Sequence, residues 1–347
     1  MKSFYECEFF TSEKIKNNKF IVSQKELLLK QRLTNDKGSF KIIDVEYHCL
    51  WERQKDWSND RPTIIIPIKD NVELMSVTIS NLVQHNLNKH CNIIIVDDRS
   101  EEDIKSLTNK SELSYLRVDN DKGFNFSMLN NIAAKICYDL GIKTIILWNS
   151  DLWCVKEEWF LELLDRHYKE DSVISGTRLV YPPIDLSLNK EEDNENIKNN
   201  FPHMLNGKWR NTIQFGGDAW LQIPGDLLNI SPTHNGRFFN IEDPRVNCDR
   251  GSAFITGALQ VLNLRYFIES GGLNPSLSKN YQDTDYCLRS ISDKKIPRYF
   301  GKDIFFYHDE SFNFENNKNE KKQDKQLTSD YILFSKIWNN KIIDLLY

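Results

Sequence analysis

The sequence predicts an α/β protein in which a mostly parallel, doubly wound central sheet is flanked by helices. Two observations carry this expectation. Short apolar runs at Arg61-Pro-Thr-Ile-Ile-Ile-Pro67, Cys91-Asn-Ile-Ile-Ile-Val96 and Lys143-Thr-Ile-Ile-Leu-Trp148 have the near-continuous hydrophobicity of strands buried on both faces. Between them lie segments with apolar residues at helical spacing, such as Met75, Ile79, Leu82 and Val83. Strands that alternate with helices pair in parallel through right-handed crossovers.

Taken in order, residues 1–60 lack a clean period, yet Phe9, Phe10, Phe20, Phe40 and Trp51 are too apolar for a free tail, so an ordered extension is expected. A strand at 63–68 leads to the helix of Met75 to Val83, then to a strand at 92–97. Ser100-Glu-Glu-Asp103 has the form of a capping box and predicts a short helix, followed by a strand at 113–118. Ser127 starts the next helix, with Leu129, Ala133, Ile136 and Leu140 on one face, before the 143–148 strand. A helix from Glu157 to Tyr168 and a strand from Val173 to Gly176 come next. The polar runs 187–200 and 315–326 read as solvated segments. After the second, Thr328-Ser-Asp330 caps a terminal helix whose apolar side is Tyr331, Leu333, Phe334, Ile337 and Trp338.

Composition excludes several classes. A formal net charge of −5 argues against a generally basic nucleic-acid binder. Nowhere do about 18 apolar residues run together, and acids interrupt the first ten positions, so neither a transmembrane segment nor a signal peptide is expected. The expected location is cytoplasmic, with at most a peripheral association at the inner face of the membrane. The 7 cysteines are odd in number and lack a Cys-x-x-Cys pair, which points to reduced thiols and away from a zinc site. Without a secretion signal, Asn109-Lys-Ser, Asn125-Phe-Ser and Asn229-Ile-Ser are chance matches to the glycosylation sequon.

The chemistry gathers where apolar strands stop. Val96-Asp97-Asp98-Arg99-Ser100 and Trp148-Asn149-Ser150-Asp151 place acids at strand ends, and open α/β sheets bind ligands in the crevice beyond the carboxyl ends of their strands. The competing reading of each acid is a turn cap, which Asp supplies readily.

These segments, in order with Pro67, Lys122-Gly123-Phe124-Asn125-Phe126-Ser127, Thr256-Gly257-Ala258, Gly271-Gly272-Leu273, Gln282-Asp283-Thr284-Asp285 and His308-Asp309-Glu310-Ser311, resemble family 2 glycosyltransferases of the GT-A fold. The likeness covers residues 61–312. It implies a Rossmann-like nucleotide-binding half at 61–151 and an acceptor and catalytic half at 152–312, with residues 1–60 and the linker and helix of 313–347 as additions. It also implies the site. Asp283 is the general base; Pro67, Asp97, Asp98, Lys122 and Asn149 serve the nucleotide, Asp98 more than Asp97. Asp151 and His308 hold a divalent cation, Mn²⁺ or Mg²⁺, and Gln282 and Gly257 face the acceptor. Asp285 complements the helix dipole and pairs with Arg289. Ile213-Gln214-Phe215-Gly216-Gly217 is similar to another family segment, with Phe215 in place of a histidine.

The implied activity is inverting, metal-dependent transfer from a UDP- or dTDP-sugar to a glycan or lipid-linked acceptor. Asn149, Gln282 and Phe215 depart from the family pattern and keep open a catalytically inactive nucleotide-sugar-binding or scaffold protein. A nucleotidyltransferase is disfavoured because Ile68-Lys69-Asp70-Asn71 has no glycine-rich phosphate loop.

Overall fold

The computed structural model describes residues 19–23, 46–119, 123–182, 211–222, 230–309, 320–339 and 341–346. The polar run 187–200, Lys122, Glu310 and Ser311 lie outside them.

Strands β1 (Lys19–Ser23) and β2 (Glu46–Glu52) pair antiparallel and join the edge of the main sheet. The next units alternate as expected: β3 (Thr63–Ile68), helix α1 (Val72–Gln84), the short α2 (Leu87–His90), β4 (Asn92–Asp97), α3 (Ile104–Lys110), β5 (Ser114–Asp119), α4 (Phe126–Asp139) and β6 (Thr144–Trp148). Strands β5, β4, β3 and β6 lie side by side and parallel. Ile64, Ile65, Ile66, Ile93, Ile94 and Ile95 are fully buried between the helical layers, where each side chain contributes about 1.5–3 kcal/mol of apolar burial.

Local details differ from the sequence reading. The buried stripe of α1 is Leu74, Met75, Thr78, Ile79 and Leu82, while Val83 is 42% exposed. Leu82 closes the last turn of this stripe, and Val83, about 100° further round the helix, falls beyond its margin. Helix α3 is capped by Asp103, which accepts from Ser106 N at 2.9 Å. Ser100 instead accepts from Asp70 N at 2.7 Å and fastens two strand-end loops together. Asn125 caps α4 by accepting from Met128 N, which releases Ser127 to donate to Leu277 O at 2.7 Å.

The second half is β7 (Leu152–Trp153), α5 (Glu157–Lys169), β8 (Ile174–Gly176), β9 (Arg178–Val180), β10 (Ile213–Phe215), β11 (Asp218–Gln222), β12 (Ile230–His234), β13 (Asp249–Gly251) and β14 (Leu259–Asn263). It continues through α6 (Leu264–Glu269), α7 (Gln282–Ser292), β15 (Arg298–Phe300), β16 (Phe305–His308), α8 (Glu320–Trp338) and α9 (Ile342–Leu346). β14 pairs antiparallel with β6 and carries the sheet on through β8, β15 and β13. The parallel character is strongest at the centre and the wings are largely antiparallel. A smaller sheet, ordered β10-β9-β16-β7, packs beside it.

Helix α8 corrects the expected linker. It begins at Glu320, inside the polar run 315–326, so Thr328-Ser-Asp330 lies within the helix and is not its cap. Asp330 Oδ2 accepts instead from Lys279 N and Asn280 N, at 3.0 and 3.1 Å. Phe334 and Trp338 are buried with Leu277, Leu288 and Ile342 in a satellite core.

Candidate active site

Where β6 ends, the chain turns through Asn149 and Ser150 to Asp151. Asn149 N donates to Ala258 O at 3.0 Å, Leu152 N to Asn149 O at 3.2 Å, and Asp309 N to Asp151 O at 3.0 Å. Helix α1 grips the same turn: Thr78 Oγ1 donates to Ser150 O, and the Asn81 side chain exchanges bonds of 2.8 and 3.0 Å with the Cys154 backbone. Asp151 is thereby fixed and only 2% exposed.

His308 ends β16 opposite Leu152, which puts its Nε2 3.3 Å from Asp151 Oδ1. The donor set fits a divalent cation: carboxylate oxygen suits Mg²⁺ and Mn²⁺, and imidazole suits the softer of the two. Among the described residues no group of three or more His, Cys, Asp or Glu side chains is placed to hold a metal. Mg²⁺ is commonly bound by one or two carboxylates together with phosphates and water, so a pair of side chains would suffice to hold it.

Asp283 stands in the first turn of α7. Its Oδ2 accepts from Gly257 N at 2.6 Å and its Oδ1 from Thr284 N at 2.7 Å. Burial pushes its carboxyl above the ordinary 3.8, against the pull of those two bonds and of His234. Asp283 as a whole residue is half-buried. Glycine at 257 eases the approach, since a Cβ there would stand 3.3 Å from Asp283 Cβ and 3.4 Å from Oδ2, closer than most such contacts. Gln282 beside it is 6% exposed, and its Oε1 is buried without a hydrogen-bond partner among the described residues. Segment 257–258 thus holds both halves of the site: Gly257 N binds Asp283, and Ala258 O binds the turn that presents Asp151.

At the edge that the resemblance assigns to the nucleotide, Pro67 lies across from Val96 near the carboxyl end of β3. Asp97 Oδ1 accepts from Ser100 N at 2.7 Å, and its Oδ2 receives Tyr115 OH and, at 3.2 Å, Arg117 Nη1. Asp97 therefore braces the turn that presents Asp98. Burial, reinforced by the bond to Asp97, keeps the Tyr115 phenol protonated. Asp98 is 1% exposed, with Lys69 Nζ 3.5 Å from its Oδ2 and 3.0 Å from its carbonyl oxygen. Gly123, next to Lys122, has φ +90°, a conformation that favours glycine.

Asp285 pairs with Arg289 at 3.0 Å, as the i+4 spacing suggests. Phe215 is fully buried against His234, Phe254 and Tyr299, with ring centroids 5.1, 5.9 and 6.1 Å away. The sequence reading missed His234. It ends β12, its Nδ1 lies 2.9 Å from Gln214 O, and it sits close enough for its charge to favour ionised Asp283. The turn pair Asn235-Gly236 beside it marks only where β12 ends, and the meeting with α7 is a tertiary event that no local pattern encodes.

A parallel sheet with this acidic carboxyl edge, faced by a second acid across a glycine, agrees with the resemblance to GT-A glycosyltransferases drawn from the sequence. Residues 63–223 match Glycosyl transferase family 2, and this stretch is a family 2 glycosyltransferase domain. The chain is 25% identical over 258 residues to the uncharacterized protein y4gI of Sinorhizobium fredii; the match takes in 71% of this chain and 24% of that protein, so the chain spans about a quarter of the relative's length. Similar solved structures include GalNAc-T7 with UDP, GalNAc and Mn²⁺, at 11% identity and TM-score 0.48 over 72% of this chain and 43% of that one. Mannosyltransferase PcManGT from Pyrobaculum calidifontis, in complex with GDP-Man and Mn²⁺, aligns at 11% identity and TM-score 0.45 over 80% and 66% of the two chains. S. aureus TarS 1-349 aligns at 10% identity and TM-score 0.45 over 80% and 72%. No helix among the described residues is long and apolar enough to cross a membrane.

Proposed function

We propose that this chain transfers a sugar from a UDP- or dTDP-sugar to a hydroxyl of a glycan or glycolipid acceptor, with inversion at the anomeric carbon. The acceptor oxygen attacks that carbon as Asp283 takes its proton. The bond to the diphosphate breaks on the opposite face, and the nucleoside diphosphate leaves with the electron pair. A carboxylate held above its ordinary range suits this task, because a base acts best when its pKa approaches the working pH. Residues 61–312 form the catalytic unit in this account.

The observation that supports it most is the shared backbone at 257–258, which fixes Asp283 and the Asp151 turn on one support. Single displacement requires a base and a leaving-group site held in one geometry. Asp151 and His308 would hold the cation, Mn²⁺ or Mg²⁺, which neutralises charge on the departing diphosphate. Asp98 accepts the imide N–H of uracil or thymine, with Pro67, Lys122 and Asn149 bordering the nucleotide. Gln282, beside the base, and Gly257 border the acceptor. Any membrane association would come from the surface or from a partner. The test is nucleotide release across a panel of nucleotide sugars, with and without chelator. UDP or dTDP release that needs Mn²⁺ or Mg²⁺ supports the account, and release confined to GDP-sugars contradicts it.

A further inference from the structure

Helix α7 carries Asp283 but begins without the usual side-chain cap. Its N-cap residue, Tyr281, has φ 63°, and no side-chain bond closes the first turn from that position. A bulky residue in the left-handed region persists only where its surroundings over-determine it. Helix α8 supplies those surroundings. Asp330 Oδ2 takes the N–H groups of Lys279 and Asn280, just before the strained residue. The Tyr281 ring stacks on Phe334 at 5.0 Å and tilts against Tyr331 at 5.9 Å. One turn beyond, Trp338 Nε1 donates to Asp285 Oδ1 at 2.9 Å, and Arg289 ties the other oxygen of Asp285 to the carbonyls of Ser270 and Gly272.

Contacts from α8 therefore bracket Asp283 on both sides, whereas the bonds of Asp283 itself go to Gly257 and Thr284. We infer that α8, which lies outside the stretch matching the family, is a clamp that positions Asp283, with Asp330 and Trp338 as the positioning residues. The inference rests on Asp283 being the base. Packing alone would call for apolar contacts, and the satellite core provides them. A buried carboxylate and an indole N–H spent on the backbone and first turn of the catalytic helix fix orientation as well.

The test uses the full chain and the variants Asp330→Asn, Asp330→Ala and Trp338→Phe, the last keeping an aromatic ring without the donor. The readouts are UDP release from UDP-glucose, UDP-galactose and UDP-N-acetylglucosamine with Mn²⁺, and amide exchange of peptides covering 279–286. The clamp predicts a kcat about 10-fold or more lower in Asp330→Ala and Trp338→Phe, with KM for the donor within about 2-fold, and partial rescue in Asp330→Asn, which keeps one acceptor oxygen. It also predicts faster exchange at 279–286 with unchanged exchange in β3 and β6. That second readout stands even where turnover on these donors is slow. Wild-type exchange at 279–286, or kcat and donor affinity falling together, overturns the clamp. If Asp283→Asn keeps full activity, the base assignment fails and the inference fails with it. If Asp283→Asn is inactive while the α8 variants behave as wild type, the clamp alone is wrong.

Discussion

Asp151 and His308 meet with 3.3 Å between Oδ1 and Nε2, although one follows β6 and the other ends β16. The register of His308 opposite Leu152 creates the meeting, so the pair is a property of the small sheet rather than of either local sequence. Asp151→Asn keeps the turn's backbone bonds while weakening the proposed cation ligand. Nucleotide release should fall at least about 10²-fold, since a Lewis-acid contact contributes several kcal/mol in the transition state. The thermal midpoint should move little. Chelator should reproduce the loss in wild type and added Mn²⁺ should reverse it; a variant that unfolds instead would return Asp151 to a structural cap.

For the nucleotide edge, UDP or dTDP with Mn²⁺ should raise the thermal midpoint more than GDP does, because a ligand that binds only the native state stabilises it. Asp98→Ala should erase that preference. Asp97→Ala should instead lower the midpoint without ligand, since Ser100, Tyr115 and Arg117 lose their common acceptor. Thermal shift measurements across the three nucleotides separate the two roles, and a stronger response to GDP would contradict the assignment.

Gly257→Ala tests the close approach to Asp283. The added methyl would press on Asp283 at 3.3 Å, and such overpacking costs about 1–3 kcal/mol. Transfer should fall far more than donor binding, because the displaced group is the proposed base. Steady-state kinetics checks this; equal losses in both would mean that the strain spreads to the nucleotide site.

Much of the fold was legible because runs such as Thr63–Ile68 and Asn92–Asp97 are buried on both faces, so hydrophobicity alone marks them. The order of strand-end acids was legible for the same reason, since the end of an apolar run fixes where polar residues emerge. Long-range contacts were not. Asp330 resembles a helix cap in sequence and instead binds the backbone at 279–280. Ser100 resembles a capping-box residue and joins two loops. His234 carries no local mark of its proximity to Asp283.

Burial sets a pH dependence. Because the folded state raises the carboxyl of Asp283 above 3.8, its contribution to stability is present below that value and is lost as pH rises through the folded pKa. Asp283→Asn should therefore gain stability over wild type near neutrality, with the difference fading in acid. Transfer has the opposite slope in wild type, falling in acid from a pH above 3.8 as the base is protonated. Thermal midpoints and kcat/KM measured across pH check both signs, and an acid limb that persists in the Asn variant would assign it to another group.

The most direct test of the whole account is transfer by wild type and Asp283→Asn from an α-linked UDP- or dTDP-sugar of gluco or galacto configuration, with the product's anomeric proton coupling read by NMR. Asn keeps the size of the side chain but cannot take a proton. The account predicts a β-linked product from wild type, a fall of about 10² to 10⁴ in the rate of the variant, the usual range for loss of a general base, and nearly unchanged donor affinity. An α-linked product, or undiminished transfer by the variant, would contradict it.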